Sequence, residues 1–217
     1  MIKAVIFDFD DTLGDRNGYA YLYYQDTLEK CFPDACKDSL LKEAMLQDIM
    51  MWEEKGQTLK DYPFIKLCKK YHLEYPDFDF KQDFKNRIGD FSYLYEDSLK
   101  VINELKKKYK VALLTNGDAK GQRKKISNAI DLDVFDVVII SGETPYDKPA
   151  KEIYDLVVRE LDCKPSEAVM IGDNFANDIY GAIKAGLDAI CFETDNCRCD
   201  NYQIKRISRL SDLLNIL

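Results

Sequence analysis

Short apolar runs that alternate with amphipathic stretches constrain the fold of this 217-residue chain more than any other feature. The runs are mostly continuous in apolar residues, which is typical of strands covered on both faces of a parallel sheet. This alternation predicts an α/β fold, in which helices connect parallel strands and the carboxyl ends of the strands lie along one edge. The predicted strands span residues 3–9, 110–115, 137–141, 168–172 and 188–192.

Helices are predicted between these strands and after the last one. Pro149 stands at a first-turn position of one helix, and Gly186 follows another as a carboxyl-terminal cap. The final segment carries leucines at helical spacing. The predicted helices span residues 96–108, 121–129, 149–161, 176–185 and about 210–217.

Residues 15–95 show a different pattern, with helical periodicity and no convincing strand. Ser39 is the expected cap of one helix and Asp77 the expected cap of another. We therefore predict a helical domain at 15–95, inserted into an α/β core that is formed by 1–14 and 96–217.

Aromatic residues are concentrated in this insertion, which holds 16 of the chain's 26 within 81 of its 217 positions. Most of them are expected to build a small core for the inserted domain, because aromatic side chains bury large apolar areas. Four tyrosines leave two interpretations open, since they could line a substrate cleft or pack inside the helical domain. They are Tyr19, Tyr21, Tyr23 and Tyr24.

The net charge of −8 argues against a surface that binds nucleic acid polymers or anionic lipid. No apolar stretch approaches the ~20 residues that cross a bilayer. Acidic residues at positions 8, 10 and 11 interrupt the region in which a signal peptide would continue its apolar segment. We therefore expect a cytoplasmic protein with no membrane partner and no nucleic acid partner.

The seven cysteines are odd in number, which favours reduced thiols. Cys191, Cys197 and Cys199 lie close together in sequence but lack the fourth ligand of a tetrahedral zinc site, so a turn with spare thiols is the preferred interpretation. The single histidine, His72, has no serine or cysteine nucleophile motif beside it, and a catalytic triad is not expected.

Acidic residues follow two of the predicted strands. Asp8 and Asp10 come directly after the first apolar run, where ionised side chains require a cation or strong hydrogen-bond donors. Asp173 follows the fourth strand, and Asp178 lies at least one helical turn further on, so that both carboxylates could converge on one hard cation. Purely structural roles remain open for these residues. Asp8 and Asp10 could simply begin the loop after the strand, and Asp173 or Asn174 could cap a helix.

Potential phosphate ligands follow two other strands. Thr115 and Asn116 end the second strand, and Lys148 lies in the loop after the third. Hydroxyl, amide and ammonium groups donate well to phosphate oxygens, and Pro149 favours an extended conformation for Lys148 before a helix. Taken singly, Asn116 with Gly117 is equally typical of a turn, and Lys148 of an exposed lysine.

Taken together and in their order along the chain, the four segments that carry Asp8, Thr115, Lys148 and Asp173 resemble the haloacid dehalogenase superfamily of phosphohydrolases. DFDDTL is similar to the first motif of the family, and IGDNFANDIYGAIKAG is similar to its fourth. The resemblance covers residues 1–14 and about 96–195, and it implies a Rossmann-like parallel sheet flanked by helices. The helical insertion at 15–95 is similar to the cap domain of the first structural subclass.

The resemblance implies a phosphatase that acts through an aspartyl phosphate. Asp8 matches the nucleophile, and Asp10 matches the acid/base that protonates the leaving alcohol and later deprotonates water. The implied cofactor is Mg²⁺, bound by the Asp8 side chain, the Asp10 main-chain carbonyl and Asp173. The resemblance also implies that phosphate is bound by Thr115, by the backbone near Asn116 and by Lys148. The implied supporting residues are Thr12, Asn177 and Asp178.

The expected substrate is a small phosphorylated metabolite, such as a sugar phosphate or a nucleotide monophosphate. A sugar phosphomutase is an open alternative, because it uses the same aspartates but returns the phosphoryl group to a sugar. A dehalogenase is a weaker alternative, since such relatives lack the second acid that Asp10 provides. A non-catalytic module that binds Mg²⁺ or phosphate would need the acidic residues but no acid/base at position 10.

Overall fold

A parallel sheet flanked by helices organises the residues that the structure, a computed structural model, describes: 1–194, 199–200 and 203–217. The strands are β1 (Ala4–Phe7), β2 (Lys110–Thr115), β3 (Val137–Ile140), β4 (Ala168–Gly172), β5 (Asp188–Phe192) and β6 (Lys205–Ile207). They lie in the order β3-β2-β1-β4-β5-β6, and all of their pairings are parallel. The predicted α/β fold class is confirmed.

Helices connect the strands and form the region between β1 and β2. The α-helices are α1 (Arg16–Cys31), α2 (Ser39–Trp52), α3 (Asp61–Tyr71), α4 (Phe80–Arg87), α5 (Ser98–Leu105), α6 (Ala119–Ala129), α7 (Lys151–Glu160), α8 (Gly181–Ala185) and α9 (Leu213–Ile216). A π-helical segment, Phe175–Tyr180, leads directly into α8. Among the described helices, none is both long enough and apolar enough to span a bilayer.

The central strand β1 is buried completely and packs apolar side chains on both faces of the sheet. Val5 and Phe7 join the core on one face, while Ala4 and Ile6 join the core on the other, as the twofold repeat of a strand requires. The chain places β2 on one side of β1 and β4 on the other. The crevice at the carboxyl end of such a switch point is where α/β sheets bind ligands.

Three strands have the predicted bounds, whereas β6 is not predicted by the sequence pattern. Its three residues include the exposed Lys205 and Arg206, and only Ile207 is buried. An edge strand of this length presents no apolar run, so hydrophobic periodicity cannot reveal it.

The five helices predicted outside the insertion all differ in their bounds from the observed ones, and two of these differences concern features that the sequence pattern singled out. Pro149 precedes the first residue of α7, Lys151, by two positions, so it does not stand in the first turn. The predicted helix at 176–185 is divided into the π-helical segment and α8. Gly186 ends α8 with a φ of 93°, as predicted for a carboxyl-terminal cap.

The described residues form two compact units, one of residues 1–15 and 93–217 and one of residues 16–92. The second unit contains α1 to α4 and has its own apolar core. Tyr19, Tyr23 and Tyr24 are at most 1% exposed within it, and the rings of Phe64 and Phe80 stack with centroids 3.7 Å apart. The aromatic excess therefore builds this core, and three of the four tyrosines pack inside it.

The helix caps of this unit lie one or two residues from the predicted positions. Asp38, and not Ser39, caps α2, since its side chain accepts hydrogen bonds from the Leu40 and Leu41 N–H groups at 3.0 and 3.1 Å. Asp79, and not Asp77, caps α4 by accepting from the Gln82 N–H. Neighbouring polar residues are all competent caps, so the sequence alone does not decide between them.

Replacement of the α2 cap gives a direct test of this assignment. Asp38→Ala should lower the free energy of unfolding of the helical unit by about 0.5–2 kcal/mol, because it removes the partner of two N–H groups. Ser39→Ala should change it by less than about 0.5 kcal/mol. Urea unfolding followed by the fluorescence of Trp52, the single tryptophan of the chain and the last residue of α2, measures both. A larger loss in Ser39→Ala than in Asp38→Ala would contradict the assignment.

Candidate active site

The candidate site lies at the carboxyl ends of three consecutive strands of the sheet, where β1 lies between β2 and β4. Asp8 follows β1, Thr115 is the last residue of β2, and Asp173 follows β4. The Asp8 backbone N–H donates to the Ile171 carbonyl at 2.9 Å, which continues the pairing of β1 with β4. The strand ends thus bring three predicted site residues to one edge.

Lys148 is the centre of a buried ion cluster. Its ammonium donates to Asp8 Oδ1 at 2.7 Å, to Asp178 Oδ1 at 2.7 Å and to the Leu114 carbonyl at 2.9 Å. Burial by itself lowers the pKa of an ammonium, but the carboxylates of Asp178 and Asp8 outweigh this effect and raise the pKa of Lys148 above its ordinary value. Protein oxygens therefore engage all three N–H donors of a charged Lys148.

Three carboxylates face one another beside this ammonium. Asp8, Asp173 and Asp178 each offer an oxygen within 4.8 Å of the others, and all three residues are buried. Burial raises the pKa of Asp178 to about 6, with Lys148 acting in the opposite direction and Asp8 adding to the increase. Three carboxylates against one ammonium leave an excess of negative charge, and their hard oxygen atoms are the ligands that Mg²⁺ prefers. The donor set therefore fits a divalent cation.

The segment after β4 holds Asp178 close to the strand. The Asn174 backbone N–H donates to Asp178 Oδ2 at 3.0 Å, and Asn174 Oδ1 accepts the Asn177 N–H at 3.0 Å. A Cβ atom on Gly172 would lie 2.3 Å from Asp178 Oδ2, so that the close approach requires glycine. Asn177 takes part in these hydrogen bonds through its main chain. Its N–H donates to Asn174, and its carbonyl accepts a hydrogen bond from the Tyr154 hydroxyl.

Thr12 links the first segment to the fourth. It is fully buried, and its hydroxyl oxygen accepts the Asp173 backbone N–H at 3.1 Å. The loop around it is tight, because Asp11 adopts a left-handed conformation with φ of 56° and donates its N–H to the Gly14 carbonyl at 2.9 Å. The hydroxyl of Thr12 thus fixes the main chain at Asp173.

Asn116 positions the main chain of Lys148. Its Oδ1 accepts the Lys148 N–H at 2.8 Å, and its Nδ2 donates to the Lys148 carbonyl at 2.9 Å. This pair of hydrogen bonds joins the loop after β3 to the end of β2 and carries Lys148 to the cluster. The side chain of Asn116 therefore holds Lys148, and a phosphate contact at this position stays a prediction for its backbone.

Two residues that the sequence analysis does not single out engage Asp10. Gln122 Nε2 donates to Asp10 Oδ2 at 3.0 Å and to Thr115 Oγ1 at 2.9 Å, and the Lys125 ammonium binds the same oxygen of Asp10. Both residues lie on α6 and are buried. Their spacing of three residues is visible in the sequence, but α6 carries several cationic residues and no pattern distinguishes Lys125 among them.

Two of the three cysteines near the carboxyl terminus belong to an apolar cluster. Cys191 and Cys199 are buried, and they share a small apolar cluster with Ile179. Cys197 lies outside the described residues. Within the part of the chain that the structure describes, the group of side chains with metal-ligand geometry contains aspartates and no cysteine.

Comparison with known proteins identifies the family. A family model described as haloacid dehalogenase-like hydrolase matches residues 2–186. A glyceraldehyde 3-phosphate phosphatase of Methanothermobacter thermautotrophicus is 30% identical, with 100% of both chains covered. The N-acylneuraminate-9-phosphatase of Homo sapiens is 28% identical over 90% of this chain and 84% of the relative.

A solved structure agrees with this family. The crystal structure of a haloacid dehalogenase (HAD) phosphatase from Thermococcus onnurineus matches with a TM-score of 0.68 at 26% identity, covering 99% of this chain and 97% of that chain. The family that the four sequence segments predict is therefore confirmed, and the chain belongs to the haloacid dehalogenase-like hydrolases.

Proposed function

We propose that this protein hydrolyses phosphomonoesters through an aspartyl phosphate on Asp8, with Mg²⁺ as its cofactor. The observation that carries the proposal is the buried cluster in which the Asp8 carboxylate meets the ammonium of Lys148 and the carboxylates of Asp173 and Asp178. Charged groups that are buried together at a ligand-binding edge of the sheet are typical of a functional site. The names of the two phosphatase relatives support the same reaction class.

The cation would be held by the Asp8 side chain, Asp173 and the main-chain carbonyl of Asp10, with Asp178 in support. The excess of negative charge in the cluster and the oxygen chemistry of its donors support this assignment. A bound Mg²⁺ supplies positive charge that reduces the repulsion between a carboxylate and an anionic phosphate.

Asp8 acts as the nucleophile. One of its carboxylate oxygens forms a bond to phosphorus while the bond from phosphorus to the ester oxygen breaks, which leaves the phosphoryl group on Asp8. The hydrogen bond from Lys148 at 2.7 Å sets the orientation of this carboxylate before a substrate arrives. Lys148, Thr115 and the backbone near Asn116 stabilise the charge that spreads over the phosphate oxygens.

Asp10 transfers the protons of both half-reactions. In the first, it gives a proton to the departing ester oxygen, which leaves as an alcohol. In the second, it takes a proton from water while the water oxygen bonds to phosphorus and the bond between phosphorus and Asp8 breaks. Inorganic phosphate leaves, and both aspartates return to their starting states.

The proposed substrate is a small phosphorylated metabolite, such as a sugar phosphate or a nucleotide monophosphate. The helical unit Arg16–Ser92 is proposed as the cap domain that contributes to substrate selection. A cytoplasmic location is part of the same proposal. A screen of phosphomonoesters with Mg²⁺ identifies the preferred leaving group.

Two alternatives are distinguished by one measurement. A phosphomutase would use Asp8 and Asp10 but return the phosphoryl group to a sugar, and a binding module would show no turnover. Continuous release of phosphate without a bisphosphate activator supports hydrolysis. Conversion of one sugar phosphate into its isomer, dependent on the activator and without net release of phosphate, supports a mutase, and the absence of both reactions supports a binding module.

Removal of the nucleophile should abolish turnover while the fold is retained. Asp8→Asn keeps the shape of the side chain but removes its negative charge, and phosphate release with Mg²⁺ should fall by at least about 1,000-fold. Asp188→Asn is the matched control, because this exposed aspartate lies at the opposite, amino end of β5. Residual activity of a tenth or more in Asp8→Asn, measured against this control, would refute the assignment.

Removal of the acid should affect poor leaving groups most. Asp10→Ala should lower kcat/KM for an alkyl phosphate by ~10²–10⁴-fold, because an alkoxide needs a proton in order to leave. The loss on 4-nitrophenyl phosphate should be clearly smaller, since nitrophenolate leaves without protonation. The comparison uses kcat/KM because this constant reports the first half-reaction. Equal losses of kcat/KM on the two substrates would contradict the role of Asp10.

A further inference from the structure

The carboxylate of Asp10 is held by a pair of buried side chains on α6. We propose that Gln122 and Lys125 are positioning residues, which fix Asp10 in the orientation from which it exchanges protons with the ester oxygen and with water. This inference rests on the function proposed above, and it assigns to α6 a part in the reaction.

The two donors meet the same carboxylate oxygen. Gln122 Nε2 lies 3.0 Å from Asp10 Oδ2, and the Lys125 ammonium makes an ion pair with that oxygen. Residues three apart share one face of a helix, so both donors approach Asp10 from α6. The start of α6 is itself anchored, because Asp118 caps it by accepting the Gly121 N–H at 2.9 Å. Two bonds from one rigid element oppose rotation of the carboxylate.

Gln122 is fixed in its own orientation. Its Nε2 lies between Asp10 Oδ2 and Thr115 Oγ1, and donates to both. A carboxylate oxygen can only accept hydrogen bonds, so the amide must present its nitrogen on this side. The opposite atom, Oε1, lies near Gly117, where an added Cβ atom would be only 3.1 Å away. Gln122 therefore links the acid/base to the hydroxyl at the end of β2.

Lys125 is distinguished from the other cationic residues of α6 by its burial. It is 8% exposed, whereas Lys120, Arg123 and Lys124 are exposed. A buried ammonium requires a partner, because its removal from water is otherwise strongly unfavourable. The partner is Asp10, and the ion pair thus explains why one lysine of this helix is directed inward.

Orientation matters because proton transfer requires heavy atoms within about 2.6–3.2 Å of each other. A displacement of about 1 Å in a reacting group can lower the rate of an enzyme by ~10²-fold. Asp8 and Asp10 are only two residues apart, but separate cations hold them, Lys148 in the first case and Lys125 in the second. Loss of Lys125 should therefore impair Asp10 while the cluster around Asp8 is preserved.

The test compares two substrates in variants of the full-length protein. Lys125→Met and Gln122→Leu should each lower kcat/KM for an alkyl phosphate by about 10- to 100-fold, and lower it far less for 4-nitrophenyl phosphate. Lys125→Arg should restore most of the loss, since it returns a cationic donor. Lys124→Met is the matched control, because it removes an exposed charge from the neighbouring position of the same helix.

A double-mutant comparison separates positioning from general damage. In an Asp10→Asn background, Lys125→Met should change the ratio of the two kcat/KM values by less than about twofold, because the group that it positions no longer transfers a proton. The stabilisation of Lys125→Met by beryllium fluoride with Mg²⁺, measured as a shift in Tm, should match that of the wild type. Should Lys125→Met fail to fold, Gln122→Leu provides the same comparison without removing a buried charge.

Two results would overturn the inference. One is a folded Lys125→Met variant in which kcat/KM falls equally for both substrates. The other is an Asp10→Asn protein in which Lys125→Met still lowers kcat/KM for the alkyl phosphate as much as it does in the wild type. Either result would overturn the inference alone if the wild type releases phosphate in an Asp8-dependent manner. The proposed function would then stand. If the wild type releases no phosphate from any phosphomonoester, the proposed function fails and the inference fails with it.

Discussion

The ion cluster around Lys148 is the interaction on which the rest of the site depends. A lysine that is 4% exposed is stable as a cation only with partners of opposite charge, and Asp8 and Asp178 supply them from segments far away in sequence. The loop that carries Lys148 reaches them because Asn116 holds its main chain on both sides. The order of the strands places all of these segments at one edge of the sheet.

The two aspartates after β1 have similar sequence positions but different surroundings. Asp8 faces a buried ammonium and two further carboxylates, whereas Asp10 faces a glutamine and a lysine on α6. The first environment places a carboxylate beside a buried ammonium and among oxygen atoms that suit a divalent cation. In the second, a carboxylate is oriented by donors outside that cluster. The proposed division of labour, with Asp8 as nucleophile and Asp10 as acid/base, thus corresponds to a physical difference between the two environments.

Much of this architecture could be predicted from the sequence, because its signals are local. β2, β4 and β5 have the predicted bounds, since strands buried on both faces show as continuous apolar runs. The convergence of Asp8 and Asp173 follows from the rule that parallel strands end at one edge. These predictions need only the type of each element and the direction of the strands.

Other features depend on contacts that no local pattern shows. The burial of Lys125 depends on which face of α6 meets the loop after β1, and several cationic residues on that helix look alike in the sequence. The engagement of the Asn116 side chain with Lys148 joins residues 32 apart. The sequence pattern places the two helix caps at Ser39 and Asp77 and not at Asp38 and Asp79, because nearby polar residues have similar capping propensities.

The central claim is that Asp8 carries the phosphoryl group, and chemical trapping tests it most directly. An Asp10→Asn variant should accumulate this intermediate with 4-nitrophenyl phosphate, because the leaving group departs without an acid while the water lacks its base. Reduction of the quenched protein with borohydride, followed by peptide mass spectrometry, should find homoserine at position 8. Trapping at any other residue, or continued release of phosphate with no residue modified, would contradict the account.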